Sequence, residues 1–480
     1  MFVGIDLGTS GVKCLAIDAD GEIVAESRAG LTSSRPKPGW SEQDPRDWWS
    51  ATNTAILDLP PDIRRACKGL GLSGQMHGAV CLDASDEIIR PAILWDDGRS
   101  AEACKTLSAR VPNIAELTGN IPMPGFTAPK LLWMQEHEQD AFARTAKVLL
   151  PKDYLRLRMT GAYASDMSDA AGTLWLDTRR REWSAEMLEA TDLTSSHMPE
   201  LFEGTEVTAT LSSDVASAWG MDRIPVAGGA GDNAAGAVGM GVIEPRQGVM
   251  SIGTSGTIFV ADDAFPENVD ALAACGVHTF CHALPERWHR MSVMLSAARC
   301  LDWAASVLGL ADAAELDQIA GEGSPDGEVF LPYLMGERTP HNNSAVRGAF
   351  LGLSASTTQE TLARAVLEGI AFGMADGWDA LSTNGSATER LSVVGGGARS
   401  RLLGEILAIL LDVPLDYHDG ATVGPALGAA RLAHIAATGA SVREVCTPPP
   451  VTHSIEPSNS ATLTERRSRY QTLSKVILET

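Results

Sequence analysis

The sequence predicts an α/β fold of two similar domains facing one ligand cleft, and three observations predict it. The chain has 480 residues, more than a single hydrophobic core ordinarily serves. The stretch GIDLGTSGVK at 4–13 has a shorter echo, SIGTSGT, at 251–257, each copy following a short apolar run. A strand-rich opening on such a glycine hairpin, followed by alternating helices and strands, occurs once before residue 220 and again after it.

The elements follow in order. MFVGID and VKCLAID are β-rich and are separated by the first Gly-rich turn; ADG at 19–21 turns the chain into EIVAESRAG, completing a meander. DPRDWWSATNTAILDL, from Asp44, has an N-cap candidate, Pro at the first helical position and helical apolar spacing. A short strand, CKGLGLSG, follows. Beyond 220, IPVAGGAGDNAAGAVGMGVI reads as strand, turn and small-residue helix, and GVMSIGTSGTIFVAD as a second hairpin. SVMLSAARCLDWAASVLG and TLARAVLEGIAFGMADGWDAL read as helices, RLSVVGGGARSRLLGEILAILLD as strand, glycine turn and helix. The last thirty or so residues read as a loop and one terminal helix. Pro and Gly interrupt the pattern near GVIEPRQG, residues 241–248, which sets the expected domains at 1–242 and 243–480.

Composition narrows the functional classes. Apolar residues make up 44% and charged residues 21%, with a formal net charge of −23. That charge disfavours a nucleic-acid partner, which needs clustered Lys and Arg, yet permits a nucleotide held by backbone N–H groups and a metal ion. No membrane span is apparent, and MFVGIDLG lacks the basic-then-apolar pattern of a secretion signal, so a cytoplasmic location is expected. The eight cysteines show no disulfide framework. In CGVHTFCHALPERWH, the Cys275–Cys281 interval does not match common zinc spacings, and the segment alternates like a strand. Buried reduced thiols are the expectation there.

Several residues suit phosphate chemistry. Gly-Thr-Ser-Gly offers backbone that approaches a phosphate closely and two hydroxyls; one copy alone reads equally as a tight turn, two in matching contexts do not. Lys13, just beyond the first hairpin, reaches a phosphate or else lies solvated. Asp6 ends an apolar strand, where a carboxylate needs a cationic partner, and Mg2+ beside phosphates supplies one; an Asx-turn is the alternative. Asp232 in GGAGDNAAGAVG sits where a strand gives way to a helix, placed to take a hydroxyl proton during phosphoryl transfer or simply to cap that helix. Gly229, Gly231 and Ala234 also fit a dinucleotide fingerprint, but the acid that pattern requires about twenty residues later is missing. GGGARS at 395–400 would admit a nucleoside against bare backbone or pack a helix closely on a strand. SGQMHGA and ILWDDGRS gather polar groups and an aromatic face suited to a polyhydroxylated ligand. GERTPHNN, from Gly336, is a dense polar loop to which chemistry alone assigns no role.

Taken together, GIDLGTSGVK, QMHGA, ILWDDGR, GFTAPKLLW, SDMSDAAGTLW, GDNAAGAVG, SIGTSG, GERTPHNN and VVGGGARS resemble, in order and over essentially the whole chain, the FGGY carbohydrate kinases. The resemblance implies two ribonuclease-H-like domains of the actin/hexokinase superfamily, with mixed sheets flanked by helices and the ligand cleft between them. It implies ATP-dependent phosphorylation of a sugar, D-xylulose at its 5-hydroxyl, with Mg2+, and it alone suggests a homodimer. It makes Asp232 the catalytic base and Asp6 the organiser of Mg2+ and phosphates, the metal being held by Asp6 and Asp232 partly through water. Met76, His77, Trp95, Asp232 and Asn233 would line the sugar site. Thr9, Ser10 and Lys13 would meet phosphates from one side and Thr254 from the other, while Gly396, Gly397, Ala398 and Arg399 would approach the nucleoside. Asp96 stands where Asn is common in this branch. The rivals are a kinase for ribulose, ribitol, gluconate or glycerol, and an ATPase of the same superfamily acting on a protein partner. The second would have no need of QMHGA or ILWDDGR.

Overall fold

The computed structural model describes residues 1–382, 388–418 and 424–479. Its architecture is a pair of seven-stranded mixed sheets. In the first, the order is Val207–Thr210, Pro225–Ala227, Gly69–Gly74, Phe2–Gly8, Gly11–Ile17 and Ile23–Gly30, with the short strand Ala230–Gly231 also on Gly69–Gly74. In the second it is Val451–Ile455, Leu415–His418, Leu391–Val394, Gly248–Ile252, Gly256–Asp262 and Trp288–Met294, extended by His278–Cys281. Along both runs of six the pairings are antiparallel, parallel, parallel, antiparallel, antiparallel. Phe2–Gly8 thus corresponds to Gly248–Ile252, and the two Gly-Thr-Ser-Gly turns are equivalent hairpins of a duplicated unit.

Each half lends the other a helix. Asp232–Gly239 leaves the first sheet and buries Ala237, with Met240 just beyond it, against Phe259 and Ala261 of the second. Gly424–Thr438 lies in sequence between two strands of the second sheet, Leu415–His418 and Val451–Ile455, yet packs on the first against Phe2, Leu15 and Ile17. The close crossing demands glycine: a Cβ on Gly428 would stand 1.8 Å from the Ala235 carbonyl oxygen, and one on Gly71 1.9 Å from that of Ala429. The region 79–201 forms a cap with its own core, including Leu131, Met134 and Trp175, which reaches Phe280, Met291 and Val293 on the edge of the second sheet. The ligand cleft lies along that contact.

Local expectations hold where punctuation is strong. Helix Pro45–Asp58 begins with the Asp44 carboxylate accepting from the Arg46 N–H. Two expectations fail. SVM ends strand Trp288–Met294, and the helix starts only at Ala298; no Gly or Pro separates the apolar run of the strand from that of the helix. Val451–Ile455, read as loop, is an edge strand whose side chains are nearly all exposed, so it carries no burial alternation.

Candidate active site

Strand ends bring the two acids together. Asp6, near the end of Phe2–Gly8, lies in register with Ser73 on one side and Lys13 on the other. The Ser73 hydroxyl donates to its Oδ1 at 2.7 Å. Asp232 follows Ala230–Gly231, which pairs with Ser73–Gly74, and begins a helix whose dipole favours its charge. The Asn233 backbone N–H and side-chain amide both donate to Asp232 Oδ1, at 2.7 and 2.9 Å. Burial, then the nearby charge of Asp6, pushes the Asp232 carboxyl up to about 7, against the pull of Asn233. Burial likewise raises Asp6, opposed by Ser73 and Lys13. Two buried acids, one of them raised by the charge of the other, form a donor set that suits a divalent cation.

Met76, His77, Trp95, Asp232 and Asn233 all line one cavity of about 240 Å³. His77 has positive φ (69°), and its backbone carbonyl accepts from Lys130 Nζ at 2.7 Å and Thr127 Oγ1 at 3.2 Å. Its Nδ1 lies 2.6 Å from the Gly172 carbonyl, which assigns the proton to Nδ1 and leaves Nε2 an acceptor. Burial brings His77 down to about 3, the Gly172 carbonyl resisting and Lys130 and Arg338 adding to the fall, so the ring is neutral. Gly172 is required here, since a Cβ would lie 2.8 Å from the His77 ring. The remaining walls include Phe126, Ser255, Thr257, His278, Phe280 and Arg338. Sequence reasoning assigned none of the six, nor Lys130, to this cavity: it read Ser255 only as a hydroxyl of the second hairpin and His278 only as part of the Cys275–His289 segment. The available signals were a lone Lys in the apolar helix Thr127–His137 and the unassigned polar loop at Gly336.

Asp6, Ser10 and Lys13 face a second cavity of about 420 Å³, with Arg28 and Gly30. Lys13 Nζ also lies 3.1 Å from Glu26. Thr9 points elsewhere: its hydroxyl accepts from Trp95 Nε1 at 3.0 Å and donates to Gln75 Oε1 at 2.9 Å. Thr254 sits exposed at the tip of the second hairpin, its carbonyl accepting from the Ala297 N–H. Gly396–Arg399 form a 3-10 turn. Within it Gly397 is a packing glycine, a Cβ there lying 2.4 Å from Ile252, whereas Gly396 faces open space. Arg399 is exposed and Ala398 rests on the core. Gly229 has φ +74°, and a Cβ there would fall 2.1 Å from the Leu72 carbonyl oxygen, which accounts for it through strand packing and not through a dinucleotide. Asp96 turns to Arg35, 2.7 Å away, and is not part of the cavity wall.

The Cys275–His289 segment is drawn into packing. His282 Nε2 lies 3.1 Å from the Val242 carbonyl, His289 stacks on Phe259, and the Cys281 thiol points at the Thr178 carbonyl. Among the described residues no group of three His, Cys, Asp or Glu is arranged to hold a metal, and no helix is long and apolar enough to cross a membrane.

A duplicated sheet, two glycine hairpins and paired carboxylates at the cleft define a kinase of the actin/hexokinase fold. The model for the N-terminal domain of the FGGY family of carbohydrate kinases matches residues 1–239, and that for its C-terminal domain residues 248–437. The chain belongs to this family. It is 54% identical over 440 residues to the xylulose kinase of Escherichia coli K12, covering 91% of this chain and 90% of that protein. The crystal structure of a xyloylose kinase from Brucella ovis superposes with a TM-score of 0.94 at 48% identity, covering 99% of this chain and 98% of that one. A gluconate kinase from Lactobacillus acidophilus reaches a TM-score of 0.90 at 25% identity, over 99% of this chain and 96% of that one, so the fold by itself leaves the sugar open.

Proposed function

We propose that this chain transfers the γ-phosphoryl group of ATP to the 5-hydroxyl of D-xylulose. The observation that carries the reading is the single cavity in which Asp232 meets His77, Met76, Trp95 and Asn233, in a chain 54% identical to a xylulose kinase. Asp232 is the base that takes the hydroxyl proton; its carboxylate is held by Asn233, so it meets the sugar in one orientation. The neutral His77, fixed by Gly172 and Lys130, accepts from a second hydroxyl through Nε2. Asp6 and Asp232 are the residues that would hold Mg2+, which supplies charge neutralisation on the phosphates when bound. Ser10 and Lys13 are assigned to the phosphates. Thr254, Gly396 and Arg399 are assigned to the nucleotide from the other half, with Gly397 and Ala398 shaping that turn. Thr9 is assigned to holding Trp95 against the sugar, because its hydroxyl is already committed.

The test is ADP release with Mg2+-ATP across ketopentoses, polyols and aldonates. Strong stimulation by D-xylulose is expected; a different best acceptor, or release indifferent to sugar, overturns the reading. A second measurement concerns His77. A histidine brought down to about 3 takes no proton in the physiological range. The ¹⁵N resonances of its ring, assigned by difference from a His77→Gln variant, should stay flat from about pH 8 to about pH 5. A titration within that window would refute the neutral acceptor.

A further inference from the structure

Among the described residues, Arg338 is the one in the wall of the sugar cavity that carries a fixed positive charge. It comes from the second half of the chain, in the loop GERTP. Among the described residues no carboxylate lies within ion-pair distance of its guanidinium, whose hydrogen-bonding partner is His278 Nε2, 3.4 Å from Nη1. The neighbouring Glu337 attracts the Arg338 charge without meeting it as an ion pair: its Oε1 accepts the N–H groups of Leu295 and of Arg338 itself, and its Oε2 has no hydrogen-bond partner among the described residues. His278 is buried, with Nδ1 2.8 Å from Asn120 Oδ1. The Asn120 amide nitrogen donates to the carbonyls of Thr118 and Thr279, which fixes Oδ1 as an acceptor. His278 Nδ1 therefore carries the proton and Nε2 accepts from Arg338. Phe280 stacks on His278 at 5.4 Å and Phe126 meets it edge-on at 5.7 Å, so the ring cannot swing away.

Some of the cavity's hydrogen-bonding groups have a single sense, whereas the side chains of Asn233, Ser255 and Thr257 can both donate and accept. Asp232 and His77 Nε2 are acceptors and match hydroxyl donors. Trp95 Nε1 already donates to Thr9. Arg338 has donors only, in a planar fork. A hydroxyl can satisfy either kind of group, whereas a ketone oxygen can only accept. Resting on the xylulose reading above, we infer that Arg338 recognises the carbonyl of an open-chain ketose, and that His278 and Asn120 are positioning residues acting through it. The kinase would thereby discriminate a ketose from the polyol that differs only by reduction of that carbonyl.

The experiment compares kcat/KM for D-xylulose and D-arabinitol in the wild type, Arg338→Met, Arg338→Lys, His278→Phe and the Arg338→Met/His278→Phe double variant. A hydrogen bond from a charged donor corresponds to about 10- to 100-fold in binding. Arg338→Met should lower the ketose value by about that factor and the polyol value by less, because the polyol's hydroxyl can turn to donate to an acceptor of the cavity instead, so the discrimination shrinks, while Arg338→Lys retains part of it. His278→Phe should show a smaller ketose-selective loss, and the double variant no more loss than Arg338→Met alone. Sugar-independent ADP release and the melting temperature report that nucleotide site and fold are intact. Parallel losses on ketose and polyol, or no loss, would overturn the inference. A wild type that prefers another acceptor overturns the xylulose assignment instead, and the pair is then that acceptor's own ketone and alcohol.

Discussion

Asp232→Asn should lower sugar-dependent ADP release by about 10²- to 10⁴-fold, the range that a positioned general base contributes. The amide keeps the size of the side chain and an oxygen for the two Asn233 donors, so the local geometry survives. It removes a buried charge that Asp6 opposes and that burial disfavours. The variant should therefore melt no lower than the wild type, since active-site acids are commonly held against stability. Nucleotide binding, followed by calorimetry, should persist. Turnover within about tenfold of wild type would remove Asp232 from the chemistry. A large fall in melting temperature would show instead that the carboxylate holds the fold.

The largest expected loss of stability is at Lys152, far from any reacting group. Its ammonium is fully buried and meets Asp153 at 2.6 Å, Asp166 at 2.8 Å and Asp169 at 3.1 Å. Burial alone would discharge it, but the three carboxylates outweigh burial and hold it charged. The cluster supports the site: the Ser168 hydroxyl donates to Asp166 and accepts the Gly231 N–H at 3.1 Å, fixing the turn that presents Asp232. Arg156 adds a donor to the Ala227 carbonyl on the same strand end. Lys152→Met leaves the carboxylates facing one another and should cost about 3–5 kcal/mol, a fall of roughly 3–5 °C in the melting temperature of a chain of this length. Burial and its neighbours already raise Asp169. A carboxyl raised in the folded state disfavours folding above that pKa, and the penalty fades as pH falls through it. The gap between variant and wild type should therefore narrow as the pH is lowered. An unchanged melting temperature, or a gap that widens in acid, would contradict this account.

Local chemistry made much of the site legible. Asp6 and Asp232 stood out because an acid at the end of an apolar strand, or among Gly and Ala at a helix start, needs a partner. His77 and Trp95 stood out as polar and aromatic groups following apolar strands, whereas Met76 and Asn233 were indicated only by the family resemblance. Phe126, His278, Phe280 and Arg338 were not found, because each looks ordinary in its own segment: an aromatic before a helix, residues of an alternating strand, an Arg in a polar loop. Their role arises only when the cap and the edge of the second sheet close on one cavity. Thr9 shows the same limit in reverse. Its motif suggested a phosphate contact, but the hydroxyl is turned toward Trp95 and Gln75 by neighbours 86 and 66 residues away in sequence.

By itself, then, the sequence determined the duplicated α/β plan, the two hairpins and the pair of acids, because strand, turn and cap preferences act over a few residues. The tertiary structure alone decided that each half lends the other a helix, that Gly428 and Gly71 must lack a side chain where those helices cross and pack, and that a charged triad of carboxylates around Lys152 braces the catalytic turn. It also decided that Arg338 lines the same cavity as His77 and Asp232. These are contacts between segments far apart in the chain, set by which surfaces fit when buried together, and no local pattern encodes them.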